Sequence, residues 1–469
     1  MVEWAGPAAC APRAPAGPHA RTRTRTRGGN PVPEILRHPG TVLTDHVFSV
    51  PLDHARPDGE RIEVFAREVV AADKEREELP WLLFLQGGPG HSSPRPVGRD
   101  AWLPVALRHY RVLLLDQRGT GRSTPANRQS LAARGAAEDQ AAYLAHFRAD
   151  SIVRDAEHIR RELLGEGSTW STLGQSFGGF CTLAYLSYAP ESIREAFVTG
   201  GLPGLRTDVA EVYRAAYPRV AAKNAQFYAR YPGDVRRVRE IVEHLAAHEV
   251  KLADGSPLTV ERFQWLGMLL GQGSGAHTLH YLLENAWVRG VTGPELSDGF
   301  LEAVRAQVSL AGAPLFATVH ESCYAQRSVS PEGTRWAAQR VRAEFPDFDA
   351  ERALRTPDAP VYFTGEMIYP WMFDVDPALI PLRETARRLA ERGDWPDLYD
   401  PRRLAANEVP VYAAVYHDDM YVDREHSLAT ARAVPNTRVW VTNEWEHDAL
   451  RVSGGAVLER LIGMARGEV

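Results

Sequence analysis

Three short β-forming segments, each followed directly by a turn that contains glycine, constrain the fold of this 469-residue chain most strongly. They are residues 81–85, 112–115 and 169–173, and the first two are uninterrupted apolar runs. Such runs are typical of strands that are buried on both faces of a parallel sheet. Residues 151–164 carry apolar side chains at helical spacing. This alternation predicts an α/β fold with a mostly parallel sheet flanked by helices.

The alternation of strands and helices stops before the middle of the chain and resumes near its end. The sequence between has amphipathic helical patterns and few candidate strands. We therefore predict an α/β core of residues 31–204 and 408–469, interrupted by a helical cap of residues 205–407. Residues 1–30 are rich in Ala, Pro and Gly and include an alternating Arg-Thr run, so we predict that they form a disordered tail.

Composition excludes several classes of protein. The net charge of −6 argues against a nucleic-acid surface as the main function. No run approaches the ~18 apolar residues of a membrane span, and prolines interrupt any secretory signal in the first residues. Three cysteines, Cys10, Cys181 and Cys323, are too few for a disulfide framework or a zinc site. We therefore expect a cytoplasmic protein without a metal or a cofactor.

The segment Gly174-Gln175-Ser176-Phe177-Gly178 matches the pattern G-x-S-x-G between a predicted strand and an apolar helix. A sharp strand-to-helix turn of this kind needs small residues beside the serine and exposes the serine hydroxyl above the sheet. The alternative, a helix that is only capped by a serine, fits this context less well. We therefore predict that Ser176 is a catalytic nucleophile.

A nucleophilic serine needs a base, and the base needs an acid that orients it. On this architecture the chain order is serine, acid and histidine. Asp418 and Asp419 follow a predicted strand, and their positions alone do not distinguish them. His447 follows the last predicted strand and is the expected base. The other histidines that we considered lie beside the acid turn or too early in the chain: His417, His426 and His320.

A glycine-rich loop at residues 86–90 is suited to an oxyanion hole that is built from backbone amides. We expect one donor from Phe177, directly after the nucleophile, and the other from Gly88 in this loop. A phosphate-binding loop is the alternative, but neither G-x-x-x-x-G-K-[ST] nor G-x-G-x-x-G occurs here. The charged turn at 116–123 is expected to form ion pairs that brace the oxyanion loop.

In this order and spacing, these motifs resemble the proline iminopeptidase family of α/β-hydrolases, in particular its larger subgroup. The residues that carry the resemblance are Gln86-Gly87-Gly88-Pro89-Gly90, 116–123, 174–179, Asp418-Asp419-Met420 and His447. The resemblance covers about residues 40–469, and it implies that Asp419, which precedes Met420, is the acid. Many relatives have His where this chain has Gln86, but the loop acts through backbone amides, so we expect the chemistry to survive.

The resemblance implies a serine aminopeptidase that removes N-terminal proline from peptides. It also implies that cap carboxylates bind the free α-amino group, with Glu366 as the first candidate and Glu321 as the second. Tyr369 and Trp371 are candidates for an apolar wall against the pyrrolidine ring. The alternative is another activity on the same scaffold, an esterase or an aminopeptidase with a different first-residue preference. A non-catalytic binding protein would be expected to have lost triad residues, and this chain has lost none.

Overall fold

The structure is a computed structural model that describes residues 34–97, 102–291 and 293–469. The predicted disordered tail and Cys10 therefore lie outside the described residues. The strands, in chain order, are β1 (Glu34–His38), β2 (Thr41–Pro51), β3 (Arg61–Ala71), β4 (Trp81–Leu85), β5 (Arg111–Leu115), β6 (Trp170–Gln175), β7 (Ile193–Thr199), β8 (Trp287–Arg289), β9 (Pro294–Leu296), β10 (Val411–Tyr416) and β11 (Thr437–Thr442).

Within the described residues, nine of these strands form one sheet in the order β1-β2-β3-β5-β4-β6-β7-β10-β11. The pairings from β5 to β11 are parallel, and those that join β1, β2, β3 and β5 are antiparallel. Strands β8 and β9 form a separate antiparallel hairpin. The mostly parallel sheet confirms the predicted α/β fold.

Helices cover both faces of the sheet. Before β7 and after β10 the helices are α1 (Trp102–Leu107), α2 (Arg128–Ala132), α3 (Ala137–Leu144), α4 (Ala149–Leu164), α5 (Phe177–Tyr188), α17 (Arg424–Ala433), α18 (Ala449–Val452) and α19 (Ala456–Arg466). Side chains alternate between the two faces of a strand, so Leu83 and Leu85 of β4 pack in the core that contains α4 and α5. Leu82 and Phe84 pack on the opposite face with α1 and α19.

Between β7 and β10 the described chain contributes helices and the β8–β9 hairpin, and no strand of the large sheet. We call residues 205–407 the inserted segment; its boundaries as a separate cap remain a prediction. Its α-helices are α6 (Val209–Arg230), α7 (Gly233–Ala247), α8 (Val260–Gln264), α9 (Gly275–Glu284), α10 (Asp298–Val308), α11 (Pro314–Val319), α12 (Ala337–Arg342), α13 (Ala350–Arg355), α14 (Met372–Val375), α15 (Arg383–Glu391) and α16 (Pro401–Ala405).

The described residues include neither a candidate membrane-spanning helix nor a candidate metal cluster. None of their helices is both long enough and apolar enough to cross a lipid bilayer. Their His, Cys, Asp and Glu side chains form no group of three or more that is arranged to hold a metal ion.

Candidate active site

Ser176 lies at the turn between β6 and α5, in a backbone conformation that residues other than glycine rarely adopt. Its φ is 54° and its ψ is −122°, a strained geometry that occurs preferentially at functional turns. Gly178 permits the sharp turn, because a Cβ there would lie 1.9 Å from the carbonyl oxygen of Leu85. The hydroxyl-bearing residue is thereby held at the carboxyl edge of the sheet, with 7% of its surface exposed.

A histidine and an aspartate meet at the same edge, in the loops that follow β10 and β11. His447 Nδ1 lies 2.7 Å from Asp419 Oδ2. The second oxygen of Asp419, Oδ1, accepts hydrogen bonds from the backbone amides of Tyr421 at 2.8 Å and Val422 at 3.1 Å. The carboxylate is therefore held in place through both oxygens, and it fixes the orientation of the imidazole.

The structure also separates the two consecutive aspartates and the competing histidines. Asp418 lies at the surface, where its Oδ1 is 2.8 Å from His417 Nδ1. Only Asp419 faces His447. His320 is buried in the inserted segment, and this burial lowers its pKa to about 4. It is therefore neutral at physiological pH, and it does not line the cavity described below.

The electrostatic environment of His447 suits a general base. Burial disfavours the charged imidazolium, but the charge of Asp419 and the hydrogen bond to it outweigh this effect, so the pKa of His447 is raised. The charge of Glu366 acts in the same direction. With Nδ1 donating to Asp419, Nε2 remains as the nitrogen that accepts a proton.

Ser176 and His447 line a single cavity of about 960 Å³. This volume lies near the upper end of the range of about 300–1,000 Å³ that is usual for sites that enclose drug-sized ligands. One wall comes from the loops of the α/β core, including residues 86–90 and 119–121. The inserted segment forms another wall. Its larger apolar residues are Trp265, Leu266, Met268, Leu269, Leu310, Leu315 and Phe316.

The predicted oxyanion loop approaches the serine closely. A Cβ at Gly87 would lie 2.9 Å from Ser176 Cβ and 2.4 Å from Gln175 Oε1, so only glycine fits there. Phe177 is the first residue of α5, where a backbone amide has no acceptor within its own helix. In the described part of the chain, the amide of Gly88 likewise has no protein acceptor. Both amides are therefore available to an oxygen atom of a ligand.

The charged turn after β5 contacts the start of this loop and the residues that follow it. Asp116 Oδ1 accepts a hydrogen bond from the Ser93 amide at 3.1 Å and another from Arg95 Nη1 at 2.8 Å. Gln117 Nε2 donates to the Gln86 carbonyl oxygen at 2.9 Å. The turn therefore contacts the chain at Gln86 and again at residues 93–95, whereas its two arginines pair elsewhere: Arg118 with Asp155 and Arg122 with Asp45.

Glu366 brings a carboxylate from the inserted segment into the cavity. Its side chain forms no ion pair and no hydrogen bond with the described residues. Burial and the neighbouring charge of Asp419 raise its pKa to about 7, although His447 opposes this shift. The site therefore contains an unpaired acidic group that would gain a partner if a cationic ligand entered.

The other predicted substrate contacts do not reach the cavity in the described structure. Glu321 Oε1 accepts a hydrogen bond from the Ala338 amide at 2.9 Å and so caps α12. The Tyr369 hydroxyl lies 3.0 Å from that of Tyr217, deep in the inserted segment. Trp371 stacks on Tyr369 with ring centroids 5.7 Å apart. Of the four residues, Glu366 alone lines the cavity.

Comparison with known proteins places the chain in a family. Residues 80–263 match the alpha/beta hydrolase fold family. The chain is 48% identical over 423 residues to "Proline iminopeptidase" from Aeromonas sobria, and the match spans 90% of this chain and 96% of that protein. The chain belongs to the proline iminopeptidase family. It is also 36% identical over 433 residues to "Proline iminopeptidase aneH" from Aspergillus aculeatus. That match spans 90% of this chain and 93% of the Aspergillus protein.

A solved structure, "Crystal structure of Proline iminopeptidase Mycobacterium smegmatis", matches with a TM-score of 0.41 and 14% identity, over 90% of this chain and 98% of that chain. Membership of the proline iminopeptidase family is established by sequence identity alone. It confirms the predicted resemblance and the predicted α/β-hydrolase fold.

The site of this proline iminopeptidase family member includes contacts that sequence patterns did not indicate. The inserted segment binds the loop of His447 through its backbone: the His447 amide donates to the Gly271 carbonyl oxygen at 3.3 Å. The Gly273 amide donates to Asp448 Oδ1 at 3.0 Å, and the Tyr421 hydroxyl donates to the Met268 carbonyl oxygen. Backbone donors and acceptors leave no residue-type signal, so residues 268–273 could not be identified from sequence.

Proposed function

We propose that this protein is a serine aminopeptidase that releases N-terminal proline from peptides by acyl transfer through Ser176. The relatives named "Proline iminopeptidase" that span almost the whole chain support this proposal. So does the placement of Ser176, His447 and Glu366 around one cavity. The substrates are peptides with a free N-terminal proline, and no metal or cofactor takes part in the proposed reaction.

In the proposed reaction, His447 Nε2 accepts the Ser176 proton while the serine oxygen attacks the prolyl carbonyl carbon. Asp419 stabilises the imidazolium that forms, since it lies 2.7 Å from Nδ1. His447 then donates the proton to the leaving amine, which departs as the shortened peptide. Water repeats the sequence and releases proline from the serine.

The backbone amides of Gly88 and Phe177 are the proposed oxyanion donors. Both lack a protein acceptor in the described structure, and the loop of Gly88 contacts Ser176 directly. Such amides stabilise the negative charge that develops on the carbonyl oxygen in the transition state. Removal of one such donor typically costs about 100- to 1,000-fold in kcat.

The observation that carries the aminopeptidase assignment is the unpaired carboxylate of Glu366 in the cavity of Ser176. A simple ester carries no group that would pair with this carboxylate, whereas a prolyl substrate brings a secondary ammonium that does. We propose that Glu366 binds this ammonium and thereby limits cleavage to the first residue. Cytoplasmic location remains part of the proposal, with which the free, buried thiols of Cys181 and Cys323 agree.

A comparison of three substrates tests the function. Prolyl 2-naphthylamide should be cleaved, and N-acetylprolyl 2-naphthylamide and a simple ester such as p-nitrophenyl acetate should react at least about 100-fold more slowly in kcat/KM. The Ser176→Ala variant should lose at least about 1,000-fold of prolyl naphthylamide cleavage. The control is Ser274→Ala, because Ser274 is exposed and its side chain caps no helix. Equal rates with and without the free amine would refute the assignment of Glu366 and favour the esterase alternative.

A further inference from the structure

The cavity extends well beyond the reacting serine, and its charged groups are unevenly distributed. Its acidic and histidine side chains are Glu366, Asp448, His91 and His447. Arg451 is the only lysine or arginine among the described residues that line it. A ligand that carries a negative charge therefore has one permanent cation to bind within this space.

The side chain of Arg451 is not used by the protein itself. It is exposed, and it forms no ion pair and no hydrogen bond with the described residues. The acidic residue closest to it in sequence, Asp448, is buried, and its Oδ1 is already bound to the Gly273 amide at 3.0 Å. An arginine that lines a cavity without a partner has its full hydrogen-bonding capacity available for a carboxylate.

Arg451 also lies close enough to His447 for its charge to act on the imidazole, whose pKa it lowers slightly against the larger effect of Asp419. It follows His447, the proposed proton donor to the leaving amine, by four positions, and it lies in α18. An extended peptide spans about 3.5 Å per residue, so one or two residues beyond the scissile bond span about 3.5–7 Å. Burial lowers the pKa of His91 on the cavity wall, and the charge of Arg451 lowers it further, so the guanidinium acts within the cavity.

We infer that Arg451 binds the C-terminal carboxylate of short peptides, so that this protein prefers prolyl dipeptides and tripeptides with a free carboxylate over their amides. The inference rests on the proposed function. Glu366 would bind the ammonium at one end of the cavity, and Arg451 would bind the carboxylate one or two residues beyond the scissile bond. The two charges would together select short zwitterionic peptides.

The test compares kcat/KM for Pro-Gly-Gly and its C-terminal amide at low ionic strength. We expect the wild-type protein to prefer the acid by about fivefold, the value that corresponds to about 1 kcal/mol for a solvent-accessible ion pair. This preference should weaken in 0.5 M NaCl because the interaction is screened. Arg451→Gln should bring the ratio to about one, and Arg451→Glu should favour the amide. Each ratio is read against the rate of the same variant with prolyl 2-naphthylamide, which has no carboxylate, because the charge of Arg451 also acts on His447.

Arg460→Gln is the matched control. Arg460 is in α19, where its guanidinium lies over the ring of Trp440, and it does not line the cavity. It should keep the wild-type ratio. An acid-to-amide ratio of one in the wild type, or a ratio that Arg451→Gln leaves unchanged, would overturn the role of Arg451 while naphthylamide cleavage upheld the proposed function. A wild-type protein that does not cleave prolyl naphthylamide would overturn both.

Discussion

Lys223 in helix α6 and Glu446, the residue before His447, form an ion pair in which Nζ lies 2.5 Å from Oε1. The Lys223 side chain is only 5% exposed. The pair joins the inserted segment to the loop that carries the proposed base. A conformational change in either partner would therefore alter the position of the loop that carries His447.

Replacement of Lys223 with Met should lower both stability and activity. The substitution leaves the Glu446 carboxylate partly buried without a cation, which should reduce the free energy of unfolding by about 1–3 kcal/mol. It should also reduce kcat for prolyl 2-naphthylamide several-fold, because the His447 loop loses its anchor.

A double-mutant cycle with Glu446→Gln measures the coupling of this pair. The double variant should be no less stable than Lys223→Met alone. Arg236→Met is the control, since its pair with Glu240 on α7 is exposed and should be worth less than about 1 kcal/mol. Simple addition of the two single effects would contradict the proposed coupling.

The pH dependence of kcat/KM should reveal two ionisations on the acid side. His447 has to be neutral to accept a proton, and its pKa is raised. Glu366 has to be charged to bind an ammonium, and its pKa is about 7. The rate should therefore fall as the pH decreases through 7, with a limiting slope near two on a logarithmic plot. Glu366→Gln should reduce that slope to one; an unchanged slope would exclude Glu366 from substrate binding.

Glu366→Gln should also stabilise the protein at high pH. The pKa of this carboxyl is raised in the folded state from 4.5 to about 7. Its protonated form therefore favours folding below pH 4.5, and this contribution is lost as the pH rises through 7. At pH 8 the neutral amide should increase the free energy of unfolding by about 1–3 kcal/mol, and at pH 4.5 it should have little effect. Thermal unfolding at the two pH values measures the difference.

Glu321 and Glu366 should respond differently to substitution. Glu321→Ala removes the acceptor of the Ala338 amide and should lower the free energy of unfolding by about 1 kcal/mol through loss of the helix cap. Glu321→Gln retains an acceptor oxygen and should fold normally. Its KM for prolyl naphthylamide should rise far less than that of Glu366→Gln. The opposite ranking would show that Glu321 is the residue that binds the amino group.

Gly87→Ala should abolish most activity without unfolding the protein. The new methyl group would lie 2.4 Å from Gln175 Oε1 and 2.9 Å from Ser176 Cβ, so the loop would move away from the serine. The Gly88 amide would move with it, and we expect kcat to fall about 100-fold or more. Gly299→Ala is the control, because the nearest atom to its added Cβ is 4.0 Å away. Retention of wild-type kcat by Gly87→Ala would refute the oxyanion role of this loop.

Local sequence patterns predicted the elements that carry Ser176, Asp419 and His447, because each follows a strand in a chain order that the architecture dictates. They could not predict which cap residues face the cavity. Glu366 and Tyr369 lie three positions apart, yet one enters the cavity and the other is buried beside Tyr217. That difference depends on how the loop after residue 363 turns, which only the packing of the inserted segment determines.

A ribosome completes Ser176 about 240 residues before it reaches Asp419, and β10 has to join β7 before the loop of Asp419 has a support. At about 5–20 residues per second, the nascent chain carries Ser176 without the proposed acid and base for on the order of 10–50 seconds. Under the proposed mechanism, the growing polypeptide would therefore have no activity towards the N-termini of neighbouring chains during its own synthesis. A chain that is truncated within the inserted segment would lack both Asp419 and His447, and the same mechanism predicts that it is inactive.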